Sequence, residues 1–351
     1  MCTTCHGSFT VSAMDVRTAA QMPLEQTGTT KHYRYDTRTT PPDVFEDLST
    51  TDWKKVSWSD LGRPYLVDNY SSEREKWENR HGEDMPVEVQ WEHFNRRFHS
   101  LFMKDPDEAT VRARKDLMGH LKDADLHGAM EVVRDLMQAK IWNYVHRVQD
   151  AVWDPRGKRA LFEGLDVENP NILFLGAADG YEAMQLLAMY PGGHAVLVDY
   201  DEFCKTDRFG NFPEAYPFLG HDPATGSHRV YHREDFNIDF VVSDIRDLDY
   251  GKEFDIVISV GLIEHFPDEY KPLVFDFHRR FLKPGGYAIM TTPRRQLRSK
   301  LFYVAMGNLM NYGYRELMDA RQLGLYAYEN GFDIKRAGYI KAHNGLVTQK
   351  R

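Results

Sequence analysis

The chain has 351 residues, 42% of them hydrophobic and 28% charged, with a formal net charge of −9; this exceeds the roughly 100–200 residues of a usual domain and predicts a core domain with an appended region. The acidic balance, with no long basic block, argues against nucleic acid as a partner and for a small-molecule substrate. No run approaches the ~18 apolar residues that span a bilayer, so no membrane partner and a cytoplasmic location are expected.

Residues 1–42 are polar, rich in Thr and without a sustained period, and read as a flexible leader. The string Cys2-Thr3-Thr4-Cys5-His6 matches the haem-attachment pattern and half of a zinc site, but no export signal and no second ligand pair accompany it, so no metal site is expected. With Cys204 the chain has three cysteines, too few for a disulfide framework and in keeping with a reducing compartment. Residues 43–165 read as a mainly helical region. Phe45, Trp53, Trp58 and Tyr65 are too apolar for a linker, and from Pro86 onward Val87, Trp91, Phe94, Phe98 and Leu101 recur at three- and four-residue steps. A longer stripe, Leu126, Met130, Val133, Met137, Ile141, Val145, Val148 and Val152, predicts a helix stopped at Asp154-Pro155-Arg156-Gly157. These helices are expected to cap the core and to form a substrate pocket or a homodimer interface.

From residue 166 to 351 strands and helices alternate, which predicts an α/β, doubly wound, mostly parallel sheet. Ile172 to Leu175 reads as a buried strand that runs into the small-residue turn Gly176-Ala177-Ala178-Asp179-Gly180 and then a helix with Ala183, Leu186, Leu187 and Tyr190 on its apolar face. Small residues there let the backbone approach a ligand. A second apolar run, Ala195 to Val198, stops at Asp199, where an acid can grip a ribose hydroxyl pair. A dinucleotide would need its pyrophosphate at the helix N-terminus, but Tyr181 stands where the third glycine of G-x-G-x-x-G belongs, and Asp179 and Glu182 would repel phosphate. S-adenosylmethionine carries an ammonium, a sulfonium and a ribose, and suits this loop better than NAD.

The stretch Ile172 to Gly180 resembles the first motif of the class I S-adenosylmethionine-dependent methyltransferases. Further likeness lies in Val198-Asp199, in Val242-Ser243-Asp244-Ile245, in Phe254 to Ser259 with Leu262-Ile263-Glu264-His265-Phe266, and in Leu282-Lys283-Pro284-Gly285-Gly286. The resemblance covers roughly the C-terminal half and implies a Rossmann-like sheet with an antiparallel C-terminal hairpin. It implies cofactor contacts at Leu175, Gly176, Ala177, Ala178, Gly180, Tyr181, Asp199, Tyr200, Asp244, Ile245, Ser259, Val260 and Gly261, with Asp244 accepting from the adenine amine and Ile245 packing on the ring. Two departures stand out: the family commonly has an acid where Phe174 stands and a glycine where Ala178 stands. They keep open a protein of this fold that binds S-adenosylmethionine without methylating; an NAD oxidoreductase is the third reading.

Residues 202–236 are longer than one crossover requires and read as an insertion, with a solvated loop as the plain alternative. Arg294 to Lys300 is a basic cluster suited to a solvated helix face or an acidic substrate group, and Glu316 to Asn330 reads as helix. Methyl transfer from a sulfonium needs alignment of a nucleophile and exclusion of water more than acid catalysis. His265, at the sheet end where ligands bind, is the candidate catalytic base for an amine, hydroxyl or thiol acceptor, and packing over the cofactor is its plain alternative. Trp91, Trp142, Tyr303, Tyr312 and Tyr314 are candidates to line the acceptor cavity. The acceptor is expected to be a small polar metabolite or natural-product precursor with a nucleophilic N, O or S atom.

Overall fold

Aliphatic runs without a polar face make strands that must be covered on both sides, and the chain is built around four of them. The computed structural model describes residues 47–102, 117, 119–120, 122–130, 132–133, 161–214, 216–340 and 342–351. The expected leader 1–42, most of the helix expected from Leu126 to Val152, and Trp142 lie outside these residues.

In chain order the elements are β1 (Tyr65–Leu66), α1 (Ser72–His81), α2 (Val87–Phe102), β2 (Asn171–Leu175), α3 (Tyr181–Met189), β3 (His194–Asp199), β4 (Phe218–His221), β5 (His228–Tyr231), β6 (Asn237–Val242), β7 (Phe254–Val260), α4 (Lys271–Arg280), β8 (Leu282–Pro293), α5 (Leu297–Met310), β9 (Glu316–Leu317), α6 (Ala320–Glu329), β10 (Phe332–Ile340) and β11 (His343–Lys350). The main sheet has seven strands in the order β10-β11-β8-β7-β2-β3-β6. β8, β7, β2, β3 and β6 run parallel to one another, and β10 and β11 add the expected antiparallel hairpin at the edge. The strand order reverses between β2 and β7, which places a ligand crevice beyond their carboxyl ends.

Alternate residues of each central strand feed two different cores. Leu173, Leu175, Val196, Val198, Val257 and Met290 face one side with Phe275 and Phe277 of α4 and Leu323 and Tyr326 of α6. Ile172, Phe174, Leu197, Ile256, Ile258 and Ile289 face the other with Leu186 and Leu187 of α3 and with Leu161 and Phe162. The N-terminal residues are built into this frame. Leu48 and Trp53 belong to the first core, and β1 pairs antiparallel with β9.

The insertion at 202–236 is ordered rather than a plain loop. It holds a π-helical turn at Cys204–Phe209 and the hairpin β4–β5. Phe212, Tyr216, Phe218 and Tyr231 pack with Tyr181 and Met184 of α3 into a third core. The helix expected from Glu316 instead begins at Ala320. Asp319 caps it by accepting from the Gln322 amide, which frees Glu316 and Leu317 to pair as β9 with β1.

Candidate functional site

The turn after β2 is shaped by three residues in the left-handed region: Gly176 at φ +66°, Ala178 at +52° and Gly180 at +72°. At Ala178 an L side chain bears the strain that glycine would avoid. Gly180 is needed for packing, because a Cβ there would lie 2.6 Å from Leu197 and 3.3 Å from Phe209. A Cβ at Gly176 would meet only Leu262, at 3.5 Å, so the loop faces the turn after β7. The Asp199 carboxylate at the end of β3 ties the loop down: Oδ2 accepts from the Ala178 amide at 2.9 Å and Oδ1 from the Asp201 amide at 3.3 Å. Burial raises the Asp199 pKa, opposed by the Ala178 amide and the Arg208 charge. The Cys204 thiol is a third hydrogen-bond partner of this carboxylate.

The other expected contacts divide. Val260 and Gly261 stand partly exposed at the end of β7, Tyr200 is exposed just past β3, and Leu175 and Ala177 are buried beneath the loop. Ser259 is fully buried and its hydroxyl pairs with His278 Nε2 at 2.8 Å, so its side chain points into the protein. The Tyr181 side chain is likewise turned inward. Its hydroxyl accepts from the Tyr216 hydroxyl at 3.0 Å inside the third core. The Asp244 carboxylate accepts from the Arg246 amide and guanidinium, which hold its pKa below the usual carboxylate range. Ile245 packs on the first core. Phe174 is buried in the second core, so no carboxylate stands at that position.

Helix α2 roofs the carboxyl ends of the parallel strands. Glu88 lies 3.9 Å from Arg246 beyond β6. Trp91 meets His265 beyond β7 edge-on, with ring centroids 4.5 Å apart. Asn95 and Arg96 both donate to Asp201 beyond β3, at 3.3 and 3.2 Å. His99 sits against Phe203 of the insertion, and buried Arg208 donates to Asn95 at 2.9 Å. Asn95, Arg96, Asp201 and Arg208 escaped the sequence reading because their meeting depends on tertiary placement across more than a hundred residues.

A buried polar cluster lies under this roof. His265 donates from Nδ1 to the Tyr314 carbonyl at 2.9 Å, which leaves Nε2 as an acceptor 3.8 Å from Glu264 Oε1. Burial and then the Arg315 charge push the His265 pKa well below its ordinary value, so the ring is neutral at physiological pH. Glu264 is 1% exposed, its Oε2 has no hydrogen-bond partner, and burial pushes its pKa up to about 7 against the pull of Arg315. Buried Lys271 holds the same turn by donating to the carbonyls of Ile263 and Phe266 and to Glu316. Among the aromatic candidates, Tyr303 accepts from Arg315 at 2.7 Å, while Tyr312 and Tyr314 donate to Glu73 and Glu316. The basic cluster is spent on neighbours, with Arg294 over the Tyr339 ring and Lys300 over that of Tyr65.

Doubly wound sheets bind ligands outside the carboxyl ends of the strands at the switch point, and here an acid closes the strand next to it. The sequence profile of the methyltransferase-domain family matches residues 144–336, more than half of the chain, and the chain belongs to that family. Its cofactor is S-adenosylmethionine. Solved structures similar to it include a protein of Bordetella parapertussis described as possibly exported, 19% identical over 55% of this chain and 65% of that one, with a TM-score of 0.42. A methyltransferase of calicheamicin biosynthesis with S-adenosylhomocysteine bound is 15% identical over 73% of this chain and 70% of its own, with a TM-score of 0.42. Human N-acetylserotonin methyltransferase in complex with S-adenosylmethionine is 16% identical over 72% and 74%, with a TM-score of 0.41. No curated protein matches the sequence. Among the described residues no helix is long and apolar enough to cross a membrane.

Proposed function

We propose that the chain moves a methyl group from S-adenosylmethionine to a nucleophilic N, O or S atom of a small polar metabolite or natural-product precursor. The observation that carries this reading is the α2 roof, whose Trp91 covers His265 and whose Arg96 reaches Asp201. An aromatic cover over the strand ends suits a small acceptor that must be aligned with water excluded, and fits a macromolecular surface poorly.

The donor set fits the cofactor. Asp199 would accept from the ribose hydroxyls, from its place at the end of the second strand of the unit. Gly176, Ala178, Val260 and Gly261 would give the backbone walls of the cleft, and Asp244 and Ile245 the adenine side. When bound, the cofactor supplies an electrophilic methyl on a sulfonium. The protein's part is to hold the acceptor in line with that methyl, exclude water and take up any proton the acceptor loses. Calorimetric titration with S-adenosylmethionine, S-adenosylhomocysteine and NAD, followed by a tritiated-methyl screen over amine, hydroxyl, carboxylate and thiol acceptors, tests the reading. Binding of NAD alone would overturn it.

A second reading, binding of S-adenosylmethionine without methyl transfer, draws on Phe174, whose burial in the second core leaves the loop without the acid common in the family. Tight cofactor binding with no acceptor methylated would favour it.

A further inference from the structure

The turn after β7 carries more than the histidine that the sequence singled out. Glu264 Oε2 and Arg315 Nε are both buried and both lack a hydrogen-bond partner. The two charges are nonetheless close enough for Arg315 to be the strongest charge acting on Glu264. Buried polar atoms without partners are few in folded proteins and each calls for an explanation. The carboxylate and the guanidinium do not satisfy each other at these atoms, so each keeps an unused hydrogen-bonding position. The Glu264 side chain also lies at the sheet's ligand edge, since a Cβ on Gly261 at the end of β7 would sit 3.2 Å from its Oε1.

We propose that Glu264 is the proton acceptor of the reaction and that the methyl acceptor is an O–H or N–H nucleophile seated between Glu264 Oε2 and the Arg315 guanidinium under the α2 roof. The proposal rests on the methyltransferase reading above. In the step, the acceptor's lone pair forms a bond to the methyl carbon. The carbon–sulfur bond breaks, with its electron pair going to sulfur and cancelling the sulfonium charge, and the acceptor's proton passes to Glu264 and then to water. His265 is a positioning residue here: its Nδ1–H is committed to the Tyr314 carbonyl and its Nε2 faces Glu264 Oε1. The other groups around Glu264 are Lys271 of α4, Tyr303 of α5, Glu316 of β9 and His343 of β11. Lys271 and Glu316 neutralise each other at 2.8 Å, so Arg315 is the cation left to set the polarity of the pocket. A carboxyl that titrates near neutrality suits a base working at physiological pH.

The test uses the whole chain saturated with S-adenosylhomocysteine, with phenol as a donor probe and its methyl ether anisole as the control that lacks the proton. Infrared difference spectra of the wild type are expected to show a carboxylic-acid band that titrates near pH 7, shifts on adding phenol, ignores anisole and is missing in Glu264→Gln. For whichever acceptor the tritium screen finds, Glu264→Gln is expected to lower kcat by about 10²- to 10⁴-fold and to abolish the rise of rate with pH near neutrality. Affinity for S-adenosylhomocysteine is expected to stay unchanged. Equal response of the wild-type band to phenol and anisole, or a variant with wild-type rate and pH profile, overturns the proposal. Failure of the wild type to bind S-adenosylhomocysteine overturns the methyltransferase reading instead, so the two failures are told apart.

Discussion

At Ala178 a backbone angle of φ +52° is borne by a residue with a Cβ. The left-handed region costs an L residue roughly 1–2 kcal/mol, and glycine loses part of that advantage by its greater freedom when unfolded. Ala178→Gly is therefore expected to stabilise the chain by about 0.5–1 kcal/mol in urea titration; a loss of stability would show that the alanine methyl has a packing role. Glu264 gives a second expectation. Its pKa is pushed up to about 7 from an ordinary 4.5, so between those values the folded state holds a proton that the unfolded state has released. Stability then falls as pH rises through this window, by on the order of 3 kcal/mol, and Glu264→Gln should flatten that decline while a slope unchanged in the variant would remove the assignment. Asp199 was legible as the acid that closes β3 from its place after an apolar run. The orphaned oxygen of Glu264 was not, because the sequence shows a carboxylate and hides what surrounds it.

Among the elements, α2 was legible as an amphipathic helix from the steps Val87, Trp91, Phe94 and Phe98, and its position across the strand ends was not. That position is set by Asp201 and Arg208, two residues that periodicity does not distinguish from solvated surface charges. The roof makes its own prediction. Burial is the largest cause of the low His265 pKa, and Trp91 and Phe94 are the rings that α2 lays against it. Trp91→Ala should raise the imidazole pKa toward about 6.5, read by NMR titration of its ring carbons; an unmoved pKa would mean that α2 does not shield the site. The hairpin of the insertion is clamped in a different way. Gly220 of β4 packs so closely on α3 that a Cβ would fall 1.7 Å from the Ala188 carbonyl oxygen, a backbone atom that cannot step aside. Gly220→Ala should cost about 1–3 kcal/mol, as overpacking does, and a neutral result would mean that the hairpin is only loosely docked. The plain sequence alternative of a solvated loop missed this because short aromatic-rich strands bounded by Gly and Pro give weak periodicity.

For the whole molecule, what was most readable was the part governed by simple burial. Strands covered on both faces are continuous aliphatic runs, so β2, β3 and β7 stood out, and with them the sheet end where ligands bind. What was least readable was how the N-terminal residues join that frame, because the joining contacts are few and far apart in sequence. Trp53 packs its ring where Gly324 of α6 has no side chain, and a Cβ there would lie 2.3 Å from the indole. Trp53 also stacks on Tyr328, with centroids 6.5 Å apart, and Leu48 is 1% exposed in the same core. A cap that folded by itself would melt by itself, whereas a segment that supplies core side chains must unfold with the sheet. Trp53→Ala is accordingly expected to destabilise the chain by about 3–5 kcal/mol and to shift one urea transition seen identically by tryptophan fluorescence and far-ultraviolet circular dichroism. Two transitions, with only the first moved by the substitution, would mean that the N-terminal residues fold as a unit apart from the sheet. Gly324→Ala meets the same indole from the other side, so its effect should be less than additive with that of Trp53→Ala, as for two residues that share one contact.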